Sequence, residues 1–203
     1  MNLPPPRKSF RETQFELREE AILDATNRLL GDKGYEAMSM DDIAAEVGIA
    51  KGSLYRHFSS KESLAAAALC RLMRATLAVI NGQPESEPAV DRLKAILRWT
   101  LERRLQGQVP HLPSTSVALQ RSLMLNLGYV RLVMKLNSSF RSLIERAQAD
   151  GALDRSLPAD VIMFTIYARS CDPTLTFLRS TRSYPDEQVV EYLVRTCFDG
   201  LNG

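Results

Sequence analysis

Three observations predict an all-α chain. Apolar residues recur at three- and four-residue spacing through most of the sequence, turn signals separate those runs, and strand-like alternation is scarce. The 203 residues, 45% hydrophobic and 25% charged, suffice to bury a core in one domain or two small ones. A formal net charge of +2 does not announce a nucleic-acid binder. Local arrangement must decide that question.

The chain opens on a Pro-rich, basic stretch (Pro4, Pro5, Pro6, Arg7, Lys8), expected to be a mobile arm over residues 1–9. A first helix is expected from Arg11 to Gly31, with Phe15, Ile22, Ala25, Leu29 and Leu30 as its apolar stripe. Gly34 and Tyr35 lead out of it.

Residues 39–64 are the most informative. Ser39 suits an N-cap, and Asp41 and Asp42 lie in the first turn, where negative charge complements the helix dipole. Ile43, Ala44 and Val47 form one apolar face, and Gly48 is the natural stop, because glycine reaches left-handed backbone angles freely. A second short helix begins near Lys51. Leu54 and Phe58 turn inward, leaving Lys51, Ser53, Tyr55, Arg56 and His57 outside. Two short helices joined by a Gly-containing turn make a helix-turn-helix. Ala50, Lys51, Gly52 and Ser53 are small or basic, so this end of the helix can approach a surface closely. Tyr55, His57 and Lys61 have the reach to donate to phosphates. Ser59 and Glu62 have capping-box spacing and are expected to open a long helix from Ser60 to Asn81.

The run Gly48-Ile49-Ala50-Lys51-Gly52-Ser53-Leu54-Tyr55-Arg56-His57-Phe58-Ser59-Ser60-Lys61-Glu62-Ser63-Leu64 resembles the signature of the TetR family of bacterial transcriptional regulators. Gly34-Tyr35 and Asp42-Ile43-Ala44 also stand where that family has them, whereas Met38 departs from the Thr that many members carry. The resemblance covers about the first third of the chain. It implies that Ala50, Lys51, Gly52 and Ser53 face base edges, with Lys51 foremost on guanine, and that Ser39, Tyr55, His57 and Lys61 hold phosphates. It also implies a homodimer on a palindromic stretch of double-stranded DNA and a small-molecule pocket in the body.

Gly82 to Pro88 punctuates the chain, and helical spacing resumes from Asp91 to Leu105 through Leu93, Leu97 and Leu101. A second break, Gln106 to Pro113, precedes a long helical region from Ser114 to Asp150, interrupted near Gly128 and closed by Gly151. Ala159 to Tyr167 is apolar almost all round, so it should lie between its own core and a second subunit. Asp172 and Pro173 break that helix and start the next; Pro185 opens the last one, Asp186 to Leu201. Val161, Phe164, Val190, Val194 and Phe198 are the expected dimer contacts. Residue type marks Trp99, His111, Met124, Tyr129, Met134, Met163, Tyr167 and Phe177 as candidates for an effector pocket. The expected organisation is an arm over 1–9, the helix-turn-helix domain over 10–59, a linking helix over 60–82, and an effector-binding and dimerisation domain over 83–203.

No HExxH, GxSxG, Walker or GxGxxG pattern occurs, so nothing points to an enzyme, a cofactor or a catalytic residue. Cys70, Cys171 and Cys197 are far apart, without a C-x-x-C, which argues against zinc and for reduced thiols in the cytoplasm. No apolar run is expected to span a membrane, and residues 1–18 lack the apolar segment of a signal peptide. The rival reading is an effector-free helix-turn-helix protein that organises DNA. A more remote one is an all-α enzyme with a vestigial DNA-binding head.

Overall fold

The computed structural model describes residues 9–109 and 116–201, and every regular element among them is helical. Eleven helices follow in order: α1 (Phe10–Asp32), α2 (Gly34–Ala37), α3 (Met40–Val47), α4 (Lys51–His57), α5 (Lys61–Gly82), α6 (Ala89–Leu105), α7 (Val117–Leu125), α8 (Leu127–Ala149), α9 (Ala159–Cys171), α10 (Thr174–Thr181) and α11 (Asp186–Phe198). The described residues form two compact units, 9–68 with 116–122, and 69–109 with 123–201. The division falls inside α5. The arm and His111 lie outside the described residues, apart from Ser9.

The helix ends follow local chemistry. Ser9 caps α1 in a capping box with Glu12. Gly48 ends α3 at φ 72°, a left-handed angle that makes room for a tight turn into α4. Four helices in the second unit start after a proline: Pro88 before α6, Pro158 before α9, Pro173 before α10 and Pro185 before α11. Proline needs no N–H there, and its fixed φ suits a helix start.

Two expected boundaries move. The long region from 114 to 150 breaks at Asn126 rather than Gly128, because the Asn126 carboxamide accepts from the Tyr129 amide and starts α8. The long helix α5 is opened by Ser60 and Ser63, not by Ser59 and Glu62. The two serines exchange backbone-to-hydroxyl bonds of 3.1 Å, which leaves the Glu62 carboxylate for Tyr35.

In the first unit α1 packs on α2 and α3, and α3 on α4. Ile22, Leu30, Met38, Ile43, Leu54 and Leu64 are fully buried there. The second unit packs α6 against α8, α9 and α11, around Leu93, Ile96, Leu97, Leu101, Ile144, Met163 and Val189. Arg104 lies buried at the end of α6 and donates to the Ser170 and Asp172 carbonyls at 3.2 and 2.8 Å, satisfying acceptors at the end of α9.

Against expectation, α5 is long and apolar enough, by length and composition, to cross a membrane. Half of its most apolar window is buried inside the protein, and Arg71 and Arg74 interrupt it. Its hydropathy is accounted for by core packing.

Candidate nucleic-acid interface and ligand cavity

Ser39 sets the geometry of the helix-turn-helix. Its hydroxyl accepts from the Asp42 amide at 3.1 Å while the Asp42 carboxylate accepts from the Ser39 amide at 2.9 Å, a reciprocal capping box. The same carboxylate accepts from Lys33 at 2.9 Å. The Lys33 bond and then the Ser39 bonds pull the Asp42 pKa down to about 2. Because the folded pKa is depressed, this group stabilises the fold above its ordinary value and the contribution disappears as pH falls from about 4 to 2. Ser39→Ala is expected to lower stability by about 1 kcal/mol at neutral pH. Urea melts at pH 7 and pH 2 check this; a loss of equal size at both pH values would show that the box does not act through the ionised carboxylate.

Leu54 and Phe58 anchor α4 at 0% and 6% exposure, and Tyr55 projects at 44%. Ala50 and Gly52 stand exposed at its start, and Ser53 is half-buried, its hydroxyl accepting from Arg56 at 3.2 Å. Lys51 is exposed, and its ammonium lies 2.7 and 2.9 Å from the two oxygens of Asp41. That hydrogen bond and its charge hold the Lys51 pKa above the usual lysine range.

Two expected phosphate donors have partners of their own. His57 is half-buried, stacked on Phe15 with ring centroids 4.0 Å apart, and its Nδ1 is buried without a hydrogen-bond partner among the described residues. Burial pushes its pKa down, so the ring is neutral at pH 7. Phe15, expected in the core, is instead 47% exposed and serves this stack. Lys61 donates to the Tyr35 carbonyl at 2.9 Å and approaches the Glu36 carbonyl at 3.4 Å, with its ammonium 4.3 Å from the centre of the Tyr35 ring. The Tyr35 hydroxyl in turn donates to Glu62 at 3.2 Å, and burial with the Glu62 charge raises its pKa. Lys61 therefore ties the end of α2 to the start of α5.

In the second unit a cavity of about 110 Å³ opens between α5, α6, α8 and α9. Leu72, Leu97, Leu136, Phe140 and Ile166 give it an apolar wall. Its polar groups are Thr76, Thr100, Tyr167 and Ser170, and each hydroxyl proton is engaged: Thr76 to the Leu72 carbonyl, Thr100 to Ile96, Ser170 to Tyr167, and Tyr167 to the Asn137 side chain. Among the described residues no charged side chain lines it.

Of the effector candidates among the described residues, only Tyr167 lines this cavity. Met163 is 2% exposed in the general core, and Trp99 is half-buried beneath the Arg103 guanidinium. Tyr129 is partly buried, its pKa raised by burial. Met124, Met134 and Phe177 are corrected: at 69%, 67% and 67% exposure they point outward. Large size identifies residues that can line a pocket, but the phase of each helix decides which ones do. The hydroxyls interrupting apolar stripes at Thr76, Thr100 and Ser170 were the missed signal.

The interface candidates also divide. Val190 and Val194 are 3% and 1% exposed within the chain's own core, which corrects their place at a subunit contact. Phe198 is partly buried against that core. Val161 and Phe164 on α9 are 51% and 60% exposed.

Residues 22–68 match the family model described as bacterial regulatory proteins, tetR family. The uncharacterized HTH-type transcriptional regulator YerO of Bacillus subtilis is 45% identical over 47 residues, 23% of this chain and 16% of that protein. The biofilm operon icaADBC HTH-type negative transcriptional regulator IcaR of Staphylococcus aureus is 46% identical over 46 residues, 23% of this chain and 25% of that one. The match thus spans a quarter or less of these relatives' length. Likeness of fold runs further. The fatty acid degradation regulator FadR from Bacillus halodurans superposes with a TM-score of 0.68 at 16% identity, over 97% of this chain and 99% of the other. FadR from Bacillus subtilis, solved in complex with stearoyl-CoA, gives 0.66 at 13% over 90% and 99%. AibR, solved with isovaleryl coenzyme A and operator DNA, gives 0.62 at 21% over 89% and 98%. The helix-turn-helix segment, residues 22–68, is thus similar to that of the tetR family of bacterial regulatory proteins, and the fold of the whole chain is like that of solved regulators.

Proposed function

We propose that this protein is a cytoplasmic transcriptional repressor that binds a palindromic operator as a homodimer and is released from it by a small-molecule effector. The observation that carries the reading is the exposed face of α4: a firmly anchored helix whose start bears only Ala50, Lys51, Gly52 and Ser53, flanked by Tyr55. Side chains this small let the backbone enter a major groove, and the surrounding donors suit phosphate oxygens. The name of IcaR supports repression, and the operator DNA bound by AibR supports the DNA target. Dimerisation is supported by Val161 and Phe164, whose exposure on α9 leaves an apolar face uncovered.

The cavity constrains the effector. At about 110 Å³ it is of the scale that accepts a benzene-sized guest, on the order of 150 Å³ in a well-studied case. It suits a short, branched apolar group such as the isovaleryl portion of the AibR ligand better than the stearoyl chain of the FadR ligand. With every hydroxyl proton already donated and no cation among the described residues of the wall, a charged head group fits better outside it.

Tyr55→Phe and Lys61→Ala test the DNA reading. Each is expected to weaken binding to specific and random duplexes alike. Lys61→Ala, which removes a cation, should also flatten the slope of log K against log salt by roughly 0.9, whereas Tyr55→Phe, which removes a neutral donor, should leave the slope unchanged. Lys61→Ala should also lower stability, because it removes the clamp on α2. Unchanged affinity for Tyr55→Phe and an unchanged slope for Lys61→Ala would take these residues off the interface. For the effector, short-chain ligands that raise the melting temperature are expected to weaken operator affinity by the same factor by which operator weakens theirs. Stabilising ligands that never shift operator affinity would favour the effector-free DNA organiser.

A further inference from the structure

We propose that Asp41 and Lys51 act together as a single reader of one G·C base pair, with Asp41 a specificity-determining residue rather than a structural one. The inference rests on the DNA-binding reading above and adds to it a second reading residue, on α3 instead of α4.

The three acids of α3 have different employments. Asp42 completes the Ser39 capping box and pairs with Lys33. Glu46 pairs with Arg28 of α1 at 3.2 Å. Both hold α3 to the segment before it. Asp41 alone reaches forward, across the turn, to Lys51 on α4. Its pair is open to solvent, with 66% of the Asp41 and 55% of the Lys51 side chain exposed. Such a pair contributes little to stability, so holding the fold together does not account for it.

A carboxylate on a surface that approaches phosphates weakens binding unless it meets a donor. In the major groove the base-edge donors are the amino groups of cytosine and adenine. A G·C pair sets the O6 acceptor of guanine one hydrogen bond from the N4 donor of cytosine, with N7 beyond O6. The Lys51 ammonium and the Asp41 oxygens stand 2.7 and 2.9 Å apart, the same separation with the opposite polarity. Lys51 over O6 and N7 then leaves Asp41 over N4. An A·T pair also has a donor beside an acceptor, but its donor lies between two acceptors. An ammonium there makes one bond instead of two while the carboxylate occupies the amino group. The neighbouring Ala50 and Gly52 lack the bulk to hold the pair away from the bases.

Selection of binding sites from a random duplex library, by the full chain and by Asp41→Asn and Lys51→Ala, tests this. The unaltered protein is expected to require a G·C pair at one position of each half-site. Asp41→Asn should lower discrimination at that position roughly tenfold and leave the other positions intact. It should also tighten binding to random duplex and steepen the salt slope by about 0.9, because Lys51 becomes free to meet a phosphate. Lys51→Ala should lose preference at the same position while weakening binding. If Asp41→Asn selects the same sites with undiminished G·C preference, the assignment of Asp41 is overturned and the DNA-binding reading stands. If the unaltered protein shows no salt-dependent affinity for any duplex, both fall.

Discussion

Val194→Asp is expected to leave no cooperatively folded protein, whereas Phe164→Asp is expected to leave a folded chain that no longer self-associates. Val194 is 1% exposed in an apolar cluster with Val190, Leu193 and the α6 leucines, so a carboxylate there is cut off from water. Burying an unpaired charge costs several kcal/mol even after relaxation, against a total stability of about 5–15 kcal/mol. Phe164 lies on α9 with 60% of its surface open, touching Tyr167 edge-on at 6.1 Å. A charge there stays hydrated in the single chain and would be buried only in the proposed dimer. Circular dichroism and sedimentation velocity on both variants separate the effects. A folded dimer from Phe164→Asp would remove α9 from the interface, and a folded Val194→Asp would contradict the core.

Leu54→Ala should disable DNA binding without touching a DNA-facing atom. Leu54 is 0% exposed and, with Phe58, fixes the seven-residue helix α4. Truncating a fully buried leucine typically costs about 2–5 kcal/mol, and so short a helix has no stability of its own to draw on. Duplex affinity is expected to fall at least as far as that of Tyr55→Phe, with a lower urea midpoint. A stability loss below about 1 kcal/mol would mean that α4 is positioned by something other than this anchor.

The contrast between Leu54 and Val194 explains what the sequence could and could not convey. The helix-turn-helix was legible because its signals are local: Ser39 caps, Gly48 turns at a left-handed angle, and Leu54 and Phe58 share a face within one turn. Pro173 and Pro185 gave the starts of the last two helices for the same reason. The wide stripe of α11 was legible as apolar, but a stripe does not say whether its own chain or another covers it. For Val190 and Val194 the answer is α11's own core. The cavity was less legible still. It is a gap where Leu72, Leu97, Leu136 and Ile166 from four helices fail to meet, and no spacing within one helix records it. Lys61 was read as a free donor because its carbonyl partners lie 25 and 26 residues earlier in the chain.

Those partners have an entropic consequence. A lysine side chain loses on the order of 1.5–2 kcal/mol of rotamer freedom when it is immobilised. Lys61, held by two carbonyls and a ring, and Lys51, held by both oxygens of Asp41, meet much of that loss when the chain folds. Duplex binding by these two cations should then be opposed by less side-chain ordering than their length suggests. In a calorimetric comparison at high salt, where counterion release contributes little, replacing Asp41 with Asn should make association entropically less favourable.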